Sequence, residues 1–538
     1  MSRSCSYTHD VSTDRFEDLD ADNWQCPHAP VTEDGLCVFH AASDTVDVGA
    51  AGEKLKQLAE TESKPIRVIG ATFDELAFEY AIVDGPSNHP IDAREATVAG
   101  EVSLERATVK RPMRFDGGQF CGPVILEGAT VTRGISFAGG SFDQPVTLEL
   151  SEIDAWFDIH GAEFHSPVIT RVADFRDGIF AEHATFHAAA DFMNTSFYDF
   201  ANFFGATFHQ GAVFDSSTFD ANAGFAEATF HDPVVRTAPK TDSSVVGDED
   251  RLAGVAVSMT GIICGKNLQF TDTQFSGDVL LADSQVTSGM HTDGITTDGA
   301  VEIDCSGMDI LQGTLGTADG SVQYDATGAT LGEVSFADDE GITCLKFRNT
   351  RFDGFDFGTH KEVLAANGWR LHDRSADVTV AELENLYLRA KNGAKSGGET
   401  RAAAEFFTHE MRFRRIGYRR QLANADNVTD GVTAGWNWFG NIMLDVTCGY
   451  GERAFRPVVF SVGVIGSFAL LFSVLQPDIV YQKPIGYLIF SIEIFVSLIL
   501  GLPTAGETLV SLLIVLEAFS GGVIIALFVF TLTRSVSR

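Results

Sequence analysis

A parallel β-helix solenoid followed by an α-helical, two-span membrane domain is the fold this 538-residue chain predicts. Three observations carry that expectation. Apolar residues recur on an 11-residue beat from Leu104 to Phe230, the period turns helical from Val380, and two long apolar stretches lie beyond Arg453.

The beat comes first. One series runs Val109, Phe120, Val131, Phe142, Ile153, Phe164, Phe175, Phe186, Phe197, Phe208, Phe219, Phe230. The other runs Leu104, Phe115, Leu126, Phe137, Leu148, Ile159, Thr170, Ala181, Phe192, Phe203, Phe214, Phe225, and its weak members Thr170 and Ala181 follow the apolar residues Ile169 and Phe180. The resulting spacing of 5, 6, 5, 6 fits neither a helix nor a flat strand. It fits a coil that returns to one inward direction at every short side. Two 11-residue units per coil give a four-sided turn, with coils stacked roughly 4.8 Å apart and backbone groups paired from coil to coil. A small residue two places before most inward phenylalanines lets the coils close up. Residues 66–232 are therefore assigned to the solenoid, 233–261 to a polar loop or insertion containing Pro233 and Pro239, and 262–358 to its second part. The alternation of a small residue with phenylalanine, as in Ala206-Thr207-Phe208 and Ala228-Thr229-Phe230, resembles the pentapeptide-repeat proteins. That resemblance implies a right-handed parallel β-helix, although this chain alternates five with six.

Composition sets the surroundings. The chain has 38 basic against 74 acidic residues, a net charge of −36. Phosphate recognition needs clustered positive charge, so nucleic acid is not an expected partner. A lysine-poor acidic surface fits a high-salt cytoplasm such as that of a halophilic archaeon, where screening removes much of the self-repulsion. An acidic protein of ordinary habitat is the alternative.

The N-terminal residues 1–48 have no apolar leader, and they hold Cys5, Cys26, Cys37 and His40, with His9 and His28 in reserve. Thiolates and imidazole suit a closed tetrahedral Zn²⁺ site, which would help so apolar-poor a segment fold. Scattered reduced cysteines are the competing account. The remaining five cysteines are dispersed, as in a reducing compartment.

Residues 376–450 form a helical linker. A first helix would place Ala381, Leu383, Leu386, Tyr387 and Ala390 on one face, Gly397-Gly398 would turn, and Arg401 to Asn424 would form a second helix rich in arginine. Those arginines meet anionic lipid headgroups or the acidic solenoid, or are a solvated face with intrahelical ion pairs.

Residues 453–538 are the membrane domain. Val458 to Leu475 has 18 residues without a charge, and Leu509 to Thr533 has 25 with only Glu517. Ile485 to Leu502 is apolar but interrupted by Glu493. Arg453 and Arg456 precede the first span, and Arg534 and Arg538 follow the last, so both termini and the β-helix are expected on the cytoplasmic side of a cell membrane crossed twice, with a re-entrant segment between.

Phe490-Ser491, Leu516-Glu517-Ala518, Gly521-Gly522 and Ala526-Leu527-Phe528-Val529 resemble the pore and inner helices of the two-transmembrane potassium-channel-like module. Cys448-Gly449-Tyr450-Gly451-Glu452-Arg453 resembles the lead-in of pentapeptide-repeat proteins that carry it. The resemblance implies a homo-tetramer whose re-entrant loops line a filter of backbone carbonyls that passes monovalent cations. The stretch between the spans lacks the family's Thr-x-Gly-Tyr/Phe-Gly-Asp core. Ser497, Leu498, Ile499, Leu500 and Gly501 fall over the filter in one alignment; Thr504, Gly506 and Glu507 supply a partial match in another. A β-branched Ile499 in place of glycine is costly where carbonyls must face an axis, which puts potassium selectivity in question.

Glu507 would form a ring at the outer mouth or be an ordinary loop residue. Glu517, Gly521 and Gly522 belong to the inner helix, and Glu517 is expected to hydrogen-bond behind the pore helix rather than to meet ions. No enzyme is expected: His160, His165, His183, His187 and His209 sit at repeat turns without a recurring nucleophile or carboxylate partner. The reading is a cation channel with a cytoplasmic β-helix for sensing or docking a protein. A non-conducting membrane-anchored scaffold is the second reading, and a DNA mimic the third.

Overall fold

The computed structural model describes residues 4–11, 19, 23–42, 45–85, 89–231, 254–337, 341–372, 378–425, 427–475, 485–500 and 508–536. It divides into two units, residues 1–356 and 357–538.

The first unit is the solenoid. Up to Phe230 each coil has four two-residue strands, as in Thr108–Val109, Met113–Arg114, Gln119–Phe120 and Val124–Ile125, while in the upper coils strands lengthen to as many as seven residues, as in Asp309–Leu315. The next strand, Thr130–Val131, lies in parallel on the first, with Thr108 beside Thr130 and Val109 beside Val131. The 22-residue coil read from the sequence is thus the observed register. One face rises as a 12-stranded parallel sheet from Leu76–Ala77 to Leu345–Lys346, giving about 12 turns.

The unequal spacing has a conformational cause. Leu104 accepts a bond from the Ala107 amide at 2.9 Å, and Leu126 accepts one from Ala129 at 3.0 Å, each closing a tight turn. The third residue of each turn is left-handed, and these recur every 11 positions: Glu95, Arg106, Gly117, Gly128, Gly139, Leu150, Gly161, Val172, His183, Asn194, Gly205, Ser216 and Glu227. A tight turn spans the 5-residue side and a wider bend the 6-residue side. The small residue that closes each tight turn, such as Ala107, Ala162 or Ala206, is buried, because little room remains at that corner.

The core is made by three inward series, each supplying a column to two different walls of the coil. Beside the two Phe-rich series a third runs Val102, Met113, Val124, Ile135, Val146, Phe157, Val168, Ile179, Ala190, Ala201, Ala212, Ala223, all buried. It explains the weak members. Thr170 and Ala181 keep the inward position themselves, while Ile169 and Phe180 are only half-buried. Their small volumes are met by Val168 and Ile179, and the large Phe192, Phe203, Phe214 and Phe225 are met by alanines two residues earlier. Thr170 is satisfied by the Thr195 hydroxyl at 3.0 Å. Phenylalanines stack from coil to coil at 4.7 Å for Phe120 on Phe142 and 4.8 Å for Phe186 on Phe208.

The coil survives the insertion. Phe208 lies beside Phe230 and Phe230 beside Phe275, and strand Val255–Ser258 already continues the face of Ala212–Val213. Residues 232–253, most of the segment read as a loop, lie outside the described residues.

The solenoid's first coil is covered. Helix α1 (Ala50–Thr61) buries Leu55 and Ala59 over it. A Cβ on Gly52 would lie 2.3 Å from the Glu75 carbonyl oxygen. The Thr72 amide bonds the Phe39 carbonyl at 2.9 Å, so the N-terminal segment occupies an edge that would otherwise invite another strand. Arg111, fully buried, ties Glu62, Lys64 and His89 together through their carbonyls at 2.7–3.0 Å.

The second unit is helical: α2 (Lys361–Ala366), α3 (Val380–Ser396), α4 (Thr400–Ala423), α5 (Val428–Cys448), α6 (Phe455–Leu475), α7 (Ile485–Leu500) and α8 (Thr508–Val536). Thr379 and Glu382 form a capping box that starts α3, and Gly398 at φ +78° turns the chain into α4. Tyr387 is buried between them, its hydroxyl accepting the Leu371 amide at 3.0 Å.

Candidate functional site

The N-terminal cluster is drawn together by a hairpin. Thr8–Asp10 and Asn23–Gln25 pair antiparallel, which brings Cys5 and Cys26 beside the turn carrying Cys37 and His40. The four ligand atoms all lie within 4.8 Å of one another, and the three cysteines are fully buried. Cys26 Sγ is 3.6 Å from Cys37 Sγ, and Cys37 Sγ is 3.3 Å from His40 Nδ1. His40 Nε2 lies 2.9 Å from the Ile69 carbonyl, which orients the ring so that Nδ1 faces the sulfurs. Tyr7 stacks on the same ring at 3.7 Å. The Cys37 amide donates to Cys5 Sγ at 3.2 Å.

The two central sulfurs are hydrogen-bonded to each other. The hydrogen bond with Cys26 holds Cys37 below the ordinary thiol range, and the same bond, with burial, pushes Cys26 above it. Sulfurs this close and this dry form the donor set of a metal ion, and the cluster can hold one.

In the second unit, α6 and residues Leu509–Thr533 of α8 are long and apolar enough to cross a membrane, while Ile485–Ser497 of α7 is shorter. Phe472 of α6, Tyr487 and Ile494 of α7, and Val510, Ile514 and Ala518 of α8 form one core. Ser491 Oγ joins all three helices. It lies 2.9 Å from the Ile465 carbonyl of α6 and hydrogen-bonds the Glu517 carboxyl of α8, which is fully buried. At Gly521 a Cβ would sit 2.1 Å from the Phe495 carbonyl oxygen, so this glycine is the contact at which α8 meets α7. Gly522, beside it, is half-buried.

Ser497 is buried and bonds the Ile494 carbonyl at 2.6 Å within α7. Leu498, Ile499 and Leu500 continue that helix in backbone, and their side chains are outside the description. Gly501, Thr504, Gly506 and Glu507 lie outside the described residues.

The basic helix is partly neutralised. Arg414 pairs with Glu384 and Glu410 at 2.7 Å each, and Asp445 receives Arg415 at 2.8 Å and Arg456 at 2.9 Å. Arg412 and Arg456 border a cleft of about 850 Å³ whose other wall is Val459, Phe460, Gly463 and Val464 of α6. Gly449, Tyr450 and Gly451, all left-handed, form the corner between α5 and α6, where Tyr450 donates to Asn441 at 2.8 Å.

Sequence reasoning noted surface histidines but not their alignment. His165, His187, His209 and His231 form a stack whose neighbouring rings lie 4.8–5.0 Å apart. Their 22-residue recurrence, equal to one coil, was the available signal. Comparison with protein families, with curated proteins and with solved structures finds no match for this chain.

Proposed function

We propose that the chain is a cation-channel-like membrane protein, its spans α6 and α8 forming the walls and α7 a re-entrant pore helix, with the β-solenoid as a cytoplasmic domain for sensing or docking. The observation that carries this reading is the short apolar α7 held between two span-length helices by Ser491 and by the Gly521 contact. A lone short apolar helix has no reason to be joined by buried polar bonds to both neighbours unless the three act as one module. Four copies would bring four α7–α8 loops to a common axis, with Glu507 at the mouth and monovalent cations in transit. Right-handed winding of the solenoid follows from the same resemblance to pentapeptide-repeat proteins.

Membrane lipid is the proposed partner of the cleft beside α6, where Arg412 and Arg456 meet an apolar wall. The exposed stripe Val428, Val432, Trp436 and Phe439 of α5 fits the same interface. Zn²⁺ is the proposed occupant of the Cys5, Cys26, Cys37, His40 centre, holding the cover of the first coil in place. The acidic, lysine-poor composition supports a halophilic cytoplasm, and the arginine pattern supports cytoplasmic termini.

The test is ion flux into liposomes under potassium and sodium gradients, with Glu507→Gln beside the parent. Flux altered by the substitution supports a conducting pore. Silence in both salts from a tetramer of confirmed mass supports the second reading, a non-conducting scaffold, which the missing filter glycines favour.

A further inference from the structure

The solenoid converts a 22-residue recurrence into a vertical line on its surface. The residue that follows each inward residue of one strand column points outward, one per coil. In six consecutive coils it is Cys121, Asp143, His165, His187, His209 and His231. Each amide bonds the coil below in the same register, from His165 to the Phe142 carbonyl at 2.9 Å through His231 to the Phe208 carbonyl at 3.0 Å. The four imidazoles are nearly parallel, with interplanar angles of 11°, 5° and 10°.

We infer that this column is a binding site for a borderline divalent cation such as Zn²⁺, Ni²⁺ or Cu²⁺, centred on Glu163, His165 and His187. The donor atoms of these three all lie within 4.8 Å of one another, and Glu163 Oε2 is 3.9 Å from His165 Nε2. Imidazole with one carboxylate is a donor set that these metals prefer and that Ca²⁺ and Mg²⁺ do not. Donors at about 2.1 Å from a tetrahedral ion stand about 3.4 Å apart, so the side chains must close by roughly 1.4 Å. Rotation of surface side chains supplies that, because Glu163 and His165 are exposed and only the backbone is fixed by the ladder. His209 and His231 continue the imidazole column above His187, but Thr185 and Thr207 stand where Glu163 does, so the carboxylate fixes the site at its lower end. The net charge of −36 raises the local concentration of cations at such a surface. This site is separate from the buried cysteine centre and does not depend on ion conduction.

The test uses the full chain in detergent, stripped with chelator and titrated calorimetrically with Zn²⁺ and Ni²⁺. Two classes of binding are expected. His187→Gln should weaken the weaker class at least tenfold and leave the tighter class intact, whereas Cys37→Ser should do the reverse. His291→Gln, outside the column, should change neither. With Cu²⁺, electron paramagnetic resonance should show nitrogen coupling in the parent that falls in His187→Gln, and thermal melts confirm that each variant is folded. A single class abolished by Cys37→Ser, or a weaker class unaffected by the double variant His187→Gln/His209→Gln, overturns the assignment.

Discussion

Replacing Val172 by asparagine should stabilise the solenoid, against the usual expectation for loss of an apolar side chain. Val172 holds a left-handed turn position at φ 59° and is 53 % exposed. An ordinary L-residue costs roughly 1–2 kcal/mol there, and a β-branched one lies at the upper end. Asparagine tolerates that conformation without the extra chain entropy of glycine. Against the relief stands lost burial: full burial of valine contributes about 1.5–2 kcal/mol, so a half-exposed one forfeits roughly 0.8. The net is a gain of about 0.5–1 kcal/mol. Glycine should come out near neutral, since its unfolded-state entropy offsets a further 0.5–1 kcal/mol. The assay is urea unfolding of the full chain followed by far-ultraviolet circular dichroism, with Val168→Asn as a buried control that must destabilise. A Val172→Asn midpoint below the parent would show that the left-handed column carries no strain, and the account of the alternating spacing would fail with it.

Other consequences are as open to measurement. Gly521→Ala puts a methyl group 2.1 Å from the Phe495 carbonyl oxygen, so α8 must move off α7; a loss of about 1–3 kcal/mol in detergent melts is expected. Glu517→Gln, a neutral isostere, should remain folded, while Glu517→Leu leaves Ser491 without that bond and should melt measurably lower. Arg111→Met strips the Glu62, Lys64 and His89 carbonyls of their donor and should cost about 3 kcal/mol, read as early protease cleavage near residues 62–64. At Asp445 burial raises the carboxyl, but the hydrogen bonds from Arg415 and Arg456 outweigh it, and the net shift is downward. Its stabilising effect is therefore present above the ordinary carboxylate range and lost as pH falls through the depressed value; tryptophan emission from α5 should change in that window, and Asp445→Asn should abolish the change.

The solenoid was legible because its restraint is periodic. A column that must fill one direction at every coil leaves a mark at fixed spacing, and the tight turns leave small residues at the same spacing. The third series escaped notice because it drifts from valine and isoleucine to alanine, and its role appears only when its volumes are set beside Thr170, Ala181 and Phe192. The cysteine centre was legible by ligand chemistry, since thiols and imidazole stand out in so polar a segment. Of the two accounts of the α4 arginines, intrahelical pairing holds for Arg414 with Glu410, while Arg414 and Arg415 also pair with Glu384 of α3 and Asp445 of α5. Charge pairing across helices has no sequence period to betray it. The role of Gly521 depends on where the Phe495 carbonyl arrives, which again is a matter of packing.

The coil length also constrains how such a chain can change. Deleting or duplicating 22 residues removes or adds a whole storey and leaves each surface column on its own side. An indel of 11 residues keeps every inward position filled but carries everything above it half a turn round, so His209 and His231 would be transferred to the opposite wall from His165 and His187. Stability would barely register the event. Only what reads the wall would.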